Sequence, residues 1–433
     1  MNNLSTFQII LLLGFVFVVF VGVLVFAGII PGFRAPEGGS GGQVTIWGTI
    51  PAETMNQFFS DFQDAHESEF TVNYNYVDPR RIENEFVNAL AAGRGPDLVI
   101  WPHSYLLKHR DKLAAIPYEQ LAVRNFRENF VRSASVYLFP QGILGLPLTV
   151  DPLVLYYNQD LLTTARLVAP PRAWSQIQET VKALTKVDDR GSLTQSAIAM
   201  GTFNNNTNAR DIYAMLTLQA GNPIFEFGNE GAKIVLQDTR GYAQSPAVEA
   251  LNFFVRFIDP ANSLYTWNAA QIDARQAFVR GTLGLYLGYA SEYNTLRRQN
   301  PQLSIGAAPV PQLGAAGDAT IAQLTGVSLV KNSANLNTAA TVAYYLSAEA
   351  FAGPLAQASG LPPAAVDLVR VDPPDPVASV AYESAIIARA WLDPDPAASP
   401  TIFQRLVETY TSGREEVGSA VNRAQLELQV LVR

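Results

Sequence analysis

Apolar and polar positions divide the chain into two parts. From Phe7 to Ile30 runs a stretch of 24 residues in which Gln8 is the sole strongly polar side chain. As a helix it would reach about 36 Å, enough to cross a hydrocarbon core of ~30 Å. No Lys or Arg precedes it, and it is longer than the apolar part of a cleaved leader. Val25-Phe26-Ala27 offers a weak cleavage site, but the pattern favours one retained N-terminal transmembrane helix over 1–33. Arg34–Gly42 (RAPEGGSGG) then reads as a flexible tether.

Beyond the tether the periodicity alternates. Val44–Trp47 is a short apolar strand, and Met55, Phe58, Phe59 and Phe62 recur at helical spacing after Pro51. Phe70, Val72, Tyr74 and Tyr76 alternate with polar residues as a strand. A helix through Ile82, Phe86 and Leu90 follows, stopped at Gly93, and Leu98–Trp101 forms a third strand. This β-α-β-α-β order predicts a parallel sheet covered on both faces, with ligands beyond the carboxyl ends of its strands. Trp47, Thr49, Ile50, Tyr76, Trp101, His103 and Ser104 fall at those ends.

A second block repeats the pattern. Gly142–Tyr157 is a long extended apolar run interrupted by Pro147 and Pro152, which a single central strand would not tolerate. It reads as a strand leaving one domain, crossing a hinge near Thr149–Pro152 and entering another. Pro170-Pro171 precedes a helix with Trp174 on its core stripe, and Asn204–Asn208 is an amide-rich loop, either a solvated turn or a set of ligand donors. Trp267 follows a helix in a loop, and Leu283–Leu287 alternates with Gly284, Tyr286 and Gly288 as a strand. The chain ends in a helix with Val417, Val421, Ala424, Leu428 and Leu431 on one face.

Composition narrows the chemistry. All charged residues lie after Phe33, and 38 acidic against 30 basic residues give a net charge of -8 with no basic stripe, which argues against nucleic acid as a partner. The absence of cysteine excludes disulfides, thiolate metal sites and a lipid anchor on an N-terminal cysteine. No phosphate-binding glycine loop or dinucleotide fingerprint occurs, so no nucleotide cofactor is expected. His66, His103 and His109 lack metal-ligand spacing. His66, among acidic residues, reads as solvated, and His103 is the histidine placed nearest a pocket. Neither catalytic residues nor a metal site is expected.

Several stretches together resemble the extracellular solute-binding proteins of ABC importers, in the class that includes sugar-binding proteins. They are Gly93–Pro102 (GRGPDLVIWP), Gly145–Asn158 (GLPLTVDPLVLYYN), Pro170–Trp174 (PPRAW), Ala277–Gly288, and Pro309–Pro311 with Gly326–Lys331. The resemblance implies an α/β, two-lobe periplasmic-binding-protein fold, each lobe a mainly parallel sheet flanked by helices. It implies lobe 1 from 43–150 plus 310–361 and lobe 2 from 151–309 plus 362–433. The three crossings would fall near Thr149–Pro152, Ala308–Pro311 and Gly360–Pro363. By similarity, ligand contacts fall on Trp47, Thr49 and Ile50, on Trp101, His103 and Ser104, on Asp151, on Tyr289 and Ser291, and on Trp391 and Phe403. Tyr76 and Trp267 join this set as aromatics at a strand end and in a loop. The chain departs from maltodextrin binders at Thr49-Ile50 and Ser104, where they carry charged residues.

The expected function is capture of a small solute, most simply a carbohydrate, by a monomer. Delivery would be to a permease and ATPase encoded by other chains, with the body outside the cell membrane. Pyranose rings present apolar faces and hydroxyl edges that suit Trp, Tyr and Asp. A peptide, amino acid or polyamine ligand is the alternative, with Arg80 and Arg81 as a candidate carboxylate clamp. A sensor component is a further alternative, as is a membrane-anchored enzyme acting on polysaccharide. The enzyme would need a carboxylate pair that the sequence does not single out.

Overall fold

A computed structural model of the chain describes residues 42–432 except 67–68, 229–230 and 315–316. The expected membrane span and nearly all of the tether lie outside the described residues. Among the described residues, no helix is long and apolar enough to cross a membrane.

Eight principal strands organise the body: β1 (Gly42–Gly48), β2 (Phe70–Tyr76), β3 (Leu98–Pro102), β4 (Leu146–Asn158), β5 (Leu193–Ile198), β6 (Leu283–Tyr289), β7 (Ile305–Ala308) and β8 (Thr320–Val330). They belong to one eleven-stranded sheet whose main path runs β2-β1-β3-β8-β4-β6-β5. At one end β1 is parallel to both β2 and β3. At the other, β6 is parallel to β5. Between these ends, β8 pairs antiparallel with β3 and β4, and β4 pairs antiparallel with β6 and β7.

The helix Ala52–Ala65 buries Met55, Phe58, Phe59 and Phe62, the stripe its spacing predicts. His66 at its C-terminal end is buried, not solvated. Phe62, Phe70, Tyr345 and Phe351 surround its ring, and Nδ1 lies 3.2 Å from Glu69. Asp97 explains why the Pro-Asp pair opens β3. Its carboxylate accepts from the Thr45 amide (2.8 Å) and the Ser333 hydroxyl (2.5 Å), while its own backbone bonds Thr45 and Val330. One side chain therefore ties together the starts of β1 and β3 and the end of β8.

β4 is a single 13-residue strand despite Pro147 and Pro152. It tolerates them because it changes partners. Leu146–Pro152 pair with β8, whereas Leu153–Asn158 pair with β6 and β7. Pro147 lies beside a register shift at Thr325/Gly326, where a missing amide is least costly. Residues 362–364 run alongside: Val150 N donates to Pro362 O and Ala364 N to Leu148 O. Residues 310–312 remain with the second half of the chain, since Gln312 and Arg172–Trp174 exchange backbone bonds. The Trp174 indole donates to Gln219, whose amide reaches Pro311 O and Ala319 O. The return toward β3 is made within β8 itself.

Candidate functional site

The crossing strands bring five of the expected residues into one connected set. Asp151 lies opposite Gln323 in the β4/β8 register. Its Oδ1 accepts from the Ser291 amide at 3.0 Å, just beyond the end of β6. Tyr289, the last residue of β6, donates its hydroxyl to Asp211 Oδ2 at 2.8 Å and meets the Gln323 side chain. His103 Nδ1 accepts from the Leu324 amide at 3.1 Å, and its ring also bonds the Trp391 backbone. His103, Asp151, Tyr289, Ser291 and Trp391 thus converge on residues 323–324 of β8.

Carboxylates dominate the surroundings. Arg210 Nε donates to Asp211 (2.8 Å) and Nη1 to Asp393 (2.9 Å), and the Ser399 hydroxyl donates to Asp393 at 2.6 Å. Behind Tyr289, Glu292 accepts from the Tyr289 amide, Asn208, the Tyr286 hydroxyl and Arg275. Burial pushes the Asp151 carboxyl up to about 6, against the pull of the Ser291 and Ala290 hydrogen bonds. Burial pulls the His103 imidazole down to about 4, so it is neutral at physiological pH. Tyr289 is held far above its ordinary range by burial and by Asp211.

Exposure separates the remaining candidates. Trp47, Thr49 and Ser104 are partly exposed at the ends of β1 and β3, adjacent to His103 in the chain or sheet, and Ile50 is likewise partly exposed. Tyr76 is exposed but ends the edge strand β2, two strands from β3. Trp101 is fully buried: it packs on Phe86, Tyr105 and His109, with its indole on Ser328. Trp267 is also fully buried, donating to Thr202 and Asn205. Phe403 is buried behind Trp391, edge-on at 6.1 Å. These three aromatics stand in the core and present no face to a ligand here.

The Asn204–Asn208 loop is neither a solvated turn nor an open donor set. Asn205, Asn206 and Asn208 are buried and spend their amides on Asn268, Gln271, Ala199, Tyr286, Leu287 and Glu292. The proposed arginine clamp is also occupied. Arg80 folds onto Asp78 (2.7 Å) and Arg81 onto Glu85 (2.6 Å), at the surface. Sequence reasoning missed Arg210, Asp211, Gln323 and Asp393. Adjacent opposite charges at Arg210-Asp211 on an otherwise buried helix were the available signal.

The fold is the α/β two-lobe periplasmic-binding-protein fold, that of a solute-binding protein. Residues 57–381 match the family described as bacterial extracellular solute-binding protein, and the chain belongs to that family. A protein of Brucella abortus (strain 2308) described as a binding protein is 23% identical over 331 residues, covering 73% of this chain and 74% of that protein. The maltodextrin-binding protein MdxE of Bacillus subtilis (strain 168) is 22% identical over 267 residues, 60% of this chain and 59% of that one. Among solved structures, the cyclic alpha-maltosyl-1,6-maltose binding protein from Arthrobacter globiformis superposes with a TM-score of 0.74 at 15% identity, covering 90% of this chain and 98% of that chain. A maltotriose-binding protein of Thermus thermophilus superposes with a TM-score of 0.63 at 16% identity, covering 90% and 100%.

Proposed function

We propose that the protein is the carbohydrate receptor of an ABC importer. It would be held at the cell membrane by its N-terminal apolar segment and would deliver its ligand to a permease encoded elsewhere. Family membership supports the extracytoplasmic body, and the charge-free apolar run from Phe7 to Ile30 supports the tether. The ligand reading rests on one observation above all. Asp151, on the crossing strand, is partly exposed, accepts from the Ser291 amide and lies opposite Gln323, whose side chain meets Tyr289. A carboxylate offers acceptors to the hydroxyls of a sugar, and partly exposed Trp47 at the end of β1 offers an apolar face to its ring. The similar proteins whose names mention maltodextrin and maltotriose point the same way. With Arg80 and Arg81 paired to their own neighbours, the clamp that favoured an amino-acid or peptide ligand loses its support.

Thermal denaturation against malto-oligosaccharides, other saccharides, peptides and polyamines tests this. A ligand at 100 times its Kd stabilises the folded state by about 2.7 kcal/mol, so a saccharide is expected to raise Tm. If none does, the reading fails. Ionised Asp151 is the better acceptor, so saccharide affinity is expected to rise as pH passes upward through about 6. Asp151→Asn is expected to flatten that profile and weaken binding by about 1.5–3 kcal/mol.

A further inference from the structure

A second concentration of charge lies apart from the cleft. Two neighbouring cavities of about 220 and 570 Å³ share Arg132 and Ser135 in their walls. Arg389 lines the smaller cavity and Arg127 and Arg370 the larger, and no Asp or Glu lines either. In a chain of net charge -8 this is an unusual grouping. None of the residues assigned to the candidate cleft borders these cavities.

The four guanidiniums lack counter-charges. Among the described residues none of them forms an ion pair, and Glu128, next to Arg127 in sequence, is taken by Arg124. Arg389 Nε and Ser133 Oγ, both in the wall of the smaller cavity, are buried without a hydrogen-bond partner. A buried donor left unpaired is costly, and a charged one more so. Burial and the adjacent charge of Arg132 both pull the Arg389 guanidinium below its ordinary range. Two cations held near each other, with an idle N–H and an idle hydroxyl beside them, form half of an anion site.

The fold fixes this arrangement. Arg132 begins the 3-10 helix Arg132–Tyr137, and Arg389 ends a two-residue strand paired to Thr320-Ile321 of β8. Asn222 and Pro223 close the smaller cavity after the helix Ala209–Gln219. The larger cavity adds an apolar floor from Phe126, Phe130, Val369 and Ile386. Planar guanidinium forks match the oxygens of a phosphate group and hold it with paired hydrogen bonds.

We propose that this arginine-lined double cavity binds a phosphate-class oxyanion between Arg132 and Arg389. The group arrives either free or carried on a small apolar ester that lies along the floor of the larger cavity. The full chain is titrated with inorganic phosphate and with phenyl phosphate by calorimetry and thermal denaturation, each against sodium chloride of equal ionic strength. Saturable binding and a raised Tm beyond the chloride control are expected. Arg389→Gln and Arg132→Gln are each expected to weaken phosphate binding at least tenfold. In phosphate-free buffer Arg389→Gln is expected to melt no lower than the parent, because it removes a partly buried cation whose Nε has no partner, whereas a purely structural arginine would cost stability. Tighter binding of phenyl phosphate identifies an ester as the natural form, and equal binding identifies free phosphate. A response to phosphate no larger than that to chloride overturns the proposal, as does binding undiminished in both variants. Exposed Arg132 makes its substitution safe for folding even if Arg389→Gln is not.

Discussion

Burial keeps the His103 imidazole neutral down to about pH 4, while its Nδ1 accepts from the Leu324 amide. In the unfolded chain the same ring protonates near 6.5. Between those values the unfolded state binds the extra proton, so this group's contribution to stability is complete above about pH 6.5 and is lost as pH falls toward 4. The gap corresponds to about 3 kcal/mol at most. Asp151 acts in the opposite direction. Its carboxyl is raised to about 6, so it costs stability as pH rises from its unfolded value near 3.8. The two largely offset each other in the parent protein, so the difference between variants carries the information. His103→Asn keeps an acceptor for Leu324 and has no titrating ring. Its urea-derived stability is expected to fall less than the parent's between pH 6.5 and 4.5, and parallel profiles would refute the neutral buried histidine. His103 was legible in the sequence as a residue just past a strand end, and Asp151 as the acid on the crossing strand. The fate of Trp101 was not. A strand end tells that a side chain is near the rim, but which face it takes depends on the helix packed there, and Phe86 and His109 claim it.

At the scale of elements, the crossing strands decide how the halves of the sheet communicate. Gly326 sits at the register shift where β8 passes β4, and a Cβ there would lie 2.9 Å from Leu146 O and 2.7 Å from the buried Tyr137 ring. Neither a backbone carbonyl nor a packed ring can yield cheaply. Gly326→Ala is expected to destabilise by about 1–3 kcal/mol with an unchanged denaturant slope. Gly418→Ala is the control. It lies in the helix Val417–Leu431 with open space around its missing Cβ, and is expected to be neutral or stabilising by up to about 1 kcal/mol. Equal losses at both positions would contradict the close approach. The helices and outer strands were readable because one face of each is apolar at regular spacing, as in Ala52–Ala65. Pro147 and Pro152 marked the stretch of β4 that changes partners, though it stays one continuous strand. The place where the chain returns was not readable, because residues 310–312 carry no periodicity and are held by backbone bonds to Arg172–Trp174.

For the whole molecule, capture in the proposed sense requires the two lobes to close, and a few contacts join their expected residues outside the strands. Lys108 Nζ lies 2.5 Å from Glu83 and 3.0 Å from Asp395, Arg110 donates to Val432 O at 3.2 Å, and Phe139 packs on Phe227 at 5.1 Å. Glu83 and Lys108 follow β2 and β3, whereas Asp395 belongs to the segment that Arg210 anchors through Asp393. In the expected lobe division the Lys108–Asp395 pair therefore joins lobe 1 to lobe 2, while Glu83, also in lobe 1, holds Lys108 in place. Partly exposed ion pairs contribute on the order of 1 kcal/mol or less each, which is enough to matter when only the closed fraction binds tightly. Lys108→Met removes the bridge and leaves Glu83 and Asp395 facing each other. It is expected to lower ligand affinity about 3- to 10-fold, mainly through faster release, and to increase the ligand-free radius of gyration by small-angle scattering. Raising salt to about 1 M shortens the screening length to ~3 Å, so the parent is expected to approach the variant there. If affinity and scattering are the same for both proteins at low salt, Lys108 takes no part in closure, and the apolar Phe139–Phe227 contact is left as the bridge to test.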